Sequence, residues 1–153
     1  ITIESGEVTF CRDIPVGGLT YTSEIHKSMG ISMEEAEAMK ISACIGQAAP
    51  EDVGKQIQST HEIIAEEIQS SIDFFSNTTP GLTVQQCFVT GGASRTSGLL
   101  NFIAQHSKVD VQIFDPFKAI KINAKKLNTA YISEIRDFAS TAVGLGLRLA
   151  GDS

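Results

Sequence analysis

The chain has 153 residues, of which 42% are hydrophobic and 20% charged, and this composition suits one folded domain or a compact pair of subdomains. A net charge of −6 excludes a general nucleic-acid binder, because no stripe of lysine and arginine is available to neutralise phosphates. No run of residues approaches the roughly 20 apolar positions of a membrane-spanning helix, and the first residues resemble a strand and not a signal peptide.

The first half of the chain predicts a β-hairpin followed by three helices. Two strands flank a turn-rich segment at 4–7. Gly30 is a typical residue to end the first helix, and Ser32 with Glu35 forms a capping-box pattern that opens the second. The third helix carries its predicted buried face at helical spacing on Val53, Ile57, Ile64, Ile68, Ile72 and Phe75. The predicted elements are strands 1–3 and 8–12 and helices 20–29, 33–45 and 51–75.

A breaker cluster at 77–81 separates the long helix from a second half in which strands and helices alternate. The polar segment 118–127 predicts a loop with one helical turn. It holds the one basic cluster of the chain, interpreted as a solvated face, on Lys118, Lys121, Lys125 and Lys126. The predicted elements are strand 84–90, helix 97–106, strand 109–114 and helix 135–150. The whole order, β-β-α-α-α-β-α-β-α, predicts an α/β fold.

The cysteines and histidines predict neither disulfides nor a metal site. Cys11, Cys44 and Cys87 are widely spaced among apolar neighbours, as small core residues of a reduced cytoplasmic protein would be. The three histidines have no ligand spacing to each other or to the cysteines.

The most informative segment is 89–95 (VTGGASR), where an apolar strand runs into two glycines and then a helix. Gly91 and Gly92 let the backbone pass close to a ligand, because neither residue carries a Cβ. Arg95 follows at a position from which its guanidinium could lie flat on a base. A lone Gly-Gly pair is also a common structural corner, so both interpretations stay open here.

Two further pairs are candidates for contacts with a nucleotide. Glu37 and Lys40 lie three residues apart on one helix face, where they form either an ordinary ion pair or a pair presented to ribose hydroxyls. Gly17 and Gly18 lie at a strand-to-helix transition and serve either as a hinge or as a close approach to phosphates. No nucleophile elbow, P-loop or G-x-G-x-x-G motif is present, so no catalytic residue is predicted.

Taken in order, four segments resemble the second half of an actin-like ATPase, within the branch that the PilM family of type IV pilus assembly proteins shares with the cell-division protein FtsA. They are 10–20 (FCRDIPVGGLT), 30–40 (GISMEEAEAMK), 89–94 (VTGGAS) and 142–148 (AVGLGLR). The resemblance spans nearly the whole chain. It implies an α/β actin-like (ribonuclease H-like) fold in which 1–32 and 84–153 form the C-terminal lobe and 33–83 forms an inserted helical subdomain with the adenosine-side helix.

The resemblance also implies half of an ATP cleft. Gly91, Gly92 and Ala93 would contact adenosine, and Arg95 would stack on adenine. Glu37 and Lys40 would contact the ribose and base, and Gly17 and Gly18 would lie beside the phosphates. ATP or ADP with Mg²⁺ would bind in the full-length protein. The residues that position Mg²⁺ and water would belong to an upstream lobe, so the chain alone is not expected to hydrolyse ATP.

The function implied by this resemblance is an ATP-dependent scaffold in pilus biogenesis and twitching motility. Its partners would be the cytoplasmic N-terminal segment of PilN, bound mainly through the upstream lobe, and other inner-membrane pilus proteins. The protein would be cytoplasmic and peripheral at the inner membrane through these partners. Two alternatives remain open: an FtsA-like division ATPase, and an enzyme of the sugar-kinase branch, which would need a catalytic Asp in the upstream lobe.

Overall fold

The computed structural model describes residues 1–44, 46–47, 49–118, 120–123 and 126–149 as a mixed α/β fold. The predicted helix ends at 45 and 150, and Lys125 of the predicted basic cluster, lie outside the described residues. The elements are β1 (Thr2–Glu4), β2 (Glu7–Phe10), α1 (Gly18–Met29), α2 (Met33–Cys44), α3 (Glu51–Thr78), β3 (Gln86–Val89), α4 (Leu99–Ser107), β4 (Asp110–Ile113), α5 (Thr129–Ile135) and α6 (Ser140–Leu147). This order confirms the predicted alternation, with one helix more at the end.

The hairpin β1–β2 turns on two residues with positive φ. Ser5 has φ +51° and Gly6 has φ +89°, which is the backbone of a type I′ turn between twisted antiparallel strands. The predicted turn segment at 4–7 is therefore confirmed.

Helices α1, α2 and α3 pack together around a small apolar core of Ile25, Ala36 and Val53. The signals that separate these helices act as predicted. Gly30 ends α1 in the left-handed conformation, with φ +66°. Ser32 and Glu35 form the reciprocal capping box: the Ser32 amide donates to Glu35 Oε2 at 2.9 Å and the Glu35 amide donates to Ser32 Oγ at 3.2 Å.

The buried face of α3 differs from the predicted apolar stripe. Val53 and Phe75 are buried as expected. The other predicted positions are half-buried: Ile57, Ile64, Ile68 and Ile72. The most buried residues at the centre of the face are instead Thr60, His61 and Ala65. The reason is that two aromatic rings from other helices enclose His61, namely Tyr21 of α1 and Phe102 of α4. Thr60 satisfies its own hydroxyl by donating to the carbonyl of Gln56 at 2.9 Å.

Strands β3 and β4 pair in parallel, with Cys87 opposite Val111 and Val89 opposite Ile113. The crossover between them carries α4, which packs on both α3 and β4. Thr90 and Gly91 separate β3 from a single 3₁₀ turn at Gly92–Arg95. The predicted helix over 97–106 begins at Leu99 and ends at Ser107. None of the helices in the described residues is long and apolar enough to cross a membrane.

Two expectations about the rest of the chain are wrong. The single helix predicted over 135–150 is interrupted: α5 begins earlier and ends at Ile135, a 3₁₀ turn follows at Arg136–Phe138, and α6 ends at Leu147. The interruption coincides with Asp137, whose main chain and side chain bond to the segment after β3. The cysteines are free thiols, but Cys11 is exposed and Cys44 and Cys87 are half-buried, so Cys11 is no core residue.

Candidate functional site

The Lys40 ammonium gathers four residues of two helices into one polar cluster. It donates to Glu37 Oε2 at 2.7 Å, to Thr22 Oγ1 at 3.1 Å and to the Gly18 carbonyl at 3.2 Å. The Thr22 hydroxyl lies 2.5 Å from the same Glu37 oxygen. The structure thus brings together three of the residues that the sequence singled out, Gly18, Glu37 and Lys40, and adds Thr22.

Lys40 and Glu37 have different roles in this cluster. All three hydrogens of the ammonium are taken by the contacts above, and the lysine side chain is only 13% exposed. Glu37 is 45% exposed, and its Oε1 accepts no hydrogen bond from the described residues. Hydrogen bonds from Lys40 and then Thr22 lower the pKa of Glu37. The cluster therefore presents an ionised, oriented carboxylate oxygen at the surface.

The start of α1 contributes the backbone at this cluster. Gly17 precedes the helix and its amide donates to Thr20 Oγ1 at 3.1 Å. A Cβ at Gly17 would meet nothing within 4 Å, and one at Gly18 would meet only Lys40 Nζ at 3.9 Å. Neither residue has a positive φ. Packing among the described residues thus gives no reason for glycine at these two positions.

The second candidate region is the corner after β3. Gly91 has φ +97°, a conformation that favours glycine, and a Cβ there would meet nothing within 4 Å. Its amide donates to the Asp137 carbonyl at 2.7 Å, and its carbonyl accepts from the Ser94 amide and hydroxyl. The corner is therefore fixed, while the space beside Gly91 stays open.

Gly92 has a packing role as well. A Cβ at this position would lie 2.9 Å from Phe138 Cε1, so the phenyl ring rests against the glycine backbone. The glycine pair that the sequence assigned to a ligand thus has a protein neighbour on one side.

The Arg95 guanidinium is held by contacts within its own chain and is not free in solvent. Its Nε donates to Asp137 Oδ2 at 2.7 Å, its Nη2 donates to the Glu134 carbonyl, and its guanidinium lies 4.7 Å from the Phe138 ring centroid. Arg95 is nevertheless 41% exposed. The sequence predicted a guanidinium that stacks, and the structure shows it stacked on a ring of its own chain.

Asp137 is the residue that sequence reasoning missed. It is buried at 4% exposure, and its carboxylate accepts from both Arg95 and Arg136. Burial alone raises the pKa of Asp137, but the hydrogen bonds from Arg95 and Arg136 outweigh burial and lower it below the ordinary value. Its carbonyl also accepts from the Thr90 hydroxyl at 3.2 Å. Its partner Arg95 lies 42 residues away along the chain, so no local sequence pattern pointed to Asp137.

Two adjacent residues of α1, Tyr21 and Thr22, contact different parts of the fold, one near α4 and one in the Lys40 cluster. Thr22 belongs to the Lys40 cluster, and its neighbour Tyr21 packs edge-on against His61, 5.6 Å between ring centroids. His61 lies beside Gly98, at the start of α4. His61 Nε2 is buried without a hydrogen-bond partner among the described residues. Burial raises the pKa of Tyr21 and lowers that of His61, so both rings are neutral near pH 7.

Comparison with known proteins finds one matching family model and several matching solved structures, of which one is described here. The family model described as type IV pilus assembly protein PilM matches residues 1–150. A solved structure described as a PilM-PilN type IV pilus biogenesis complex aligns with a TM-score of 0.75 at 22% identity, over 90% of this chain. At that identity the alignment is evidence of a shared fold. The chain spans 38% of the solved relative's length.

Proposed function

Since the chain belongs to the PilM family of type IV pilus assembly proteins, we propose that it supplies one half of a nucleotide-binding cleft in an assembly protein of the actin-like ATPase fold. The other half would come from the part of the whole protein that this chain does not include. The solved relative is more than twice as long as this chain. The ligand proposed is ATP or ADP with Mg²⁺.

The observation that carries this proposal is the polar cluster around Lys40. Two adjacent oxygens of a carboxylate, one bound internally and one open, can hold a ribose hydroxyl in a fixed direction. Lys40 keeps the carboxylate ionised and oriented, because it donates a hydrogen bond to Glu37 Oε2. Its other two N–H groups are taken by Gly18 and Thr22, so no donor remains for a ligand. We therefore assign the ribose contact to Glu37 alone, and Lys40 orients the Glu37 carboxylate. This proposal replaces the expectation that both residues touch the nucleotide.

The open backbone at three of the four candidate glycines supports the same proposal. A ligand could approach Gly17, Gly18 and Gly91 without meeting a side chain at the Cβ position, apart from the distant Lys40 ammonium. In this arrangement Gly17 and Gly18 would lie beside the phosphates, and Gly91, Gly92 and Ala93 beside adenosine.

The role proposed for the whole protein is assembly and not turnover. A nucleotide held between two lobes sets the angle between them, and this angle would control docking to an inner-membrane pilus protein of the PilN type. The protein would act on the cytoplasmic face of the inner membrane through such partners. A PilN segment should then bind the whole protein with different affinity in the presence and absence of MgATP, and equal affinities would contradict this coupling.

The experiment that tests nucleotide binding is calorimetric titration of MgATP into the whole protein and two matched variants. Glu37→Gln should weaken binding about tenfold or more, because a hydrogen bond to a charged group contributes about 1.5–3 kcal/mol. Glu51→Gln is the control, since Glu51 forms a similar ion pair with Lys55 on the exposed face of α3. Equal affinity of the two variants would remove Glu37 from the site, and no binding by the unsubstituted protein would overturn the proposal.

A further inference from the structure

The Arg95 guanidinium is held in one orientation by three contacts before any ligand arrives. Asp137 accepts its Nε, the Glu134 carbonyl accepts its Nη2, and the Phe138 ring covers one of its faces at 4.7 Å. All three partners come from a single short segment, 134–138, which lies about 40 residues further along the chain. A long, flexible side chain is thus converted into a fixed plane that remains 41% exposed.

Asp137 holds the Arg95 guanidinium and the backbone of the glycine corner through two different groups. Its carboxylate binds Arg95 and Arg136, whereas its carbonyl binds the Gly91 amide and the Thr90 hydroxyl. A change of the carboxylate leaves the carbonyl contacts in place. Phe138 also contacts the corner through its side chain alone: its ring lies on Arg95 and Gly92, and its main chain forms no hydrogen bond to the described residues 90–95. Side-chain variants can therefore loosen the guanidinium and keep the glycine corner.

We propose that Asp137 and Phe138 are positioning residues that hold Arg95 as a stacking plane for the base of a bound nucleotide, so that the site selects purines over pyrimidines. This inference rests on the proposed function. The free face of the guanidinium stacks on the base while the covered face stays on the phenyl ring. A plane that is fixed in advance loses little freedom when the base arrives, so the full stacking interaction contributes to affinity.

The selectivity follows from ring size. Stacking is tolerant of base identity but scales with the overlapping ring area, and a purine offers two fused rings where a pyrimidine offers one. Removal of the plane or of its support should therefore cost more affinity for a purine nucleotide than for a pyrimidine nucleotide with the same ribose and phosphates. General damage to the fold would lower both affinities by the same factor.

The test is calorimetric titration of MgATP and MgCTP into the whole protein, its Phe138→Ala and Phe138→Tyr variants, and an Arg95→Lys variant. Phe138→Ala should lower ATP affinity about tenfold and CTP affinity about two- to threefold, so the ATP-to-CTP ratio falls about fourfold. Arg95→Lys should lower the ratio in the same direction, because it keeps the charge and removes the plane. Phe138→Tyr should keep the ratio of the unsubstituted protein, because it retains the aromatic ring under the guanidinium. Phe88→Ala is the matched control: Phe88 is also exposed, at 55%, but its ring packs on Phe114.

The outcomes distinguish this inference from the proposed function. An ATP-to-CTP ratio that is unchanged in both Phe138→Ala and Arg95→Lys would overturn the inference, even if Glu37→Gln still weakens binding. An equal loss for both nucleotides would also overturn it, because Phe138 would then have a structural role only. Absence of binding by the unsubstituted protein would overturn the proposed function together with the inference.

Discussion

Replacement of Gly92 by alanine tests the packing of the candidate corner. The new Cβ would lie 2.9 Å from Phe138 Cε1, about 0.5 Å inside ordinary contact, and 3.6 Å from Cζ. Phe138 is 58% exposed, so its ring can turn outward to relieve the clash. The clash should therefore destabilise the protein by only about 1 kcal/mol, the low end of the range for overpacking. Alanine also reduces the freedom of the unfolded chain, which stabilises the protein by about 0.5 kcal/mol. The free energy of unfolding should fall by about 0.5 kcal/mol as the net effect.

The same substitution should reverse its sign when the ring is absent. In a Phe138→Ala background the clash disappears, and Gly92→Ala should then stabilise the protein by about 0.5 kcal/mol. Urea unfolding of the four proteins of this cycle should therefore give a coupling of about 1 kcal/mol. Gly91→Ala is the control: its φ of +97° is strained for alanine with or without the ring, so its coupling to Phe138 should be near zero. A Gly92→Ala effect that is equal in both backgrounds would refute the contact.

Three further predictions concern other parts of the fold. Burial lowers the pKa of His61, so the unfolded chain binds the proton more readily, and the free energy of unfolding should fall as pH drops from about 6.5 toward the lowered pKa. Urea unfolding between pH 5 and 8 should show this slope, and His61→Phe should remove it whereas His106→Gln should not. Ser32→Ala should cost about 1 kcal/mol in the same assay, since it removes one half of the capping box; a change under about 0.3 kcal/mol would contradict that role. Thiol labelling followed by mass spectrometry should modify the exposed Cys11 well before Cys87, whose pKa is raised by burial, and the reverse order would contradict this assignment.

Local signals predicted the element order well. Gly30, Ser32 and Glu35 act within one or two turns of the chain, and each behaves in the structure as its residue type suggests. The positive φ of Gly91 also follows from a glycine between a strand and a helical turn. Such features depend on neighbours in sequence, so the sequence contains the information needed to find them.

The parts that sequence reasoning missed depend on partners far along the chain. The Glu37–Lys40 ion pair was predicted from its spacing, but the bond from Lys40 to the Gly18 carbonyl spans 22 residues. The bond from Arg95 to Asp137 spans 42 residues. His61 was not among the positions predicted to be buried, and the aromatic rings that enclose it come from two other helices. Whether 33–83 is a separate subdomain remains a prediction.

Photoaffinity labelling of the whole protein with an azido-adenine analogue of ATP tests the central claim most directly. Peptides that carry the label are identified by mass spectrometry, with unlabelled ATP as competitor. The nucleotide site proposed here predicts competed labelling within residues 91–95 or 134–138, and a loss of that labelling in Glu37→Gln but not in Glu51→Gln. Competed labelling confined to other parts of the protein, or labelling that ATP does not displace, would contradict a nucleotide site at this corner.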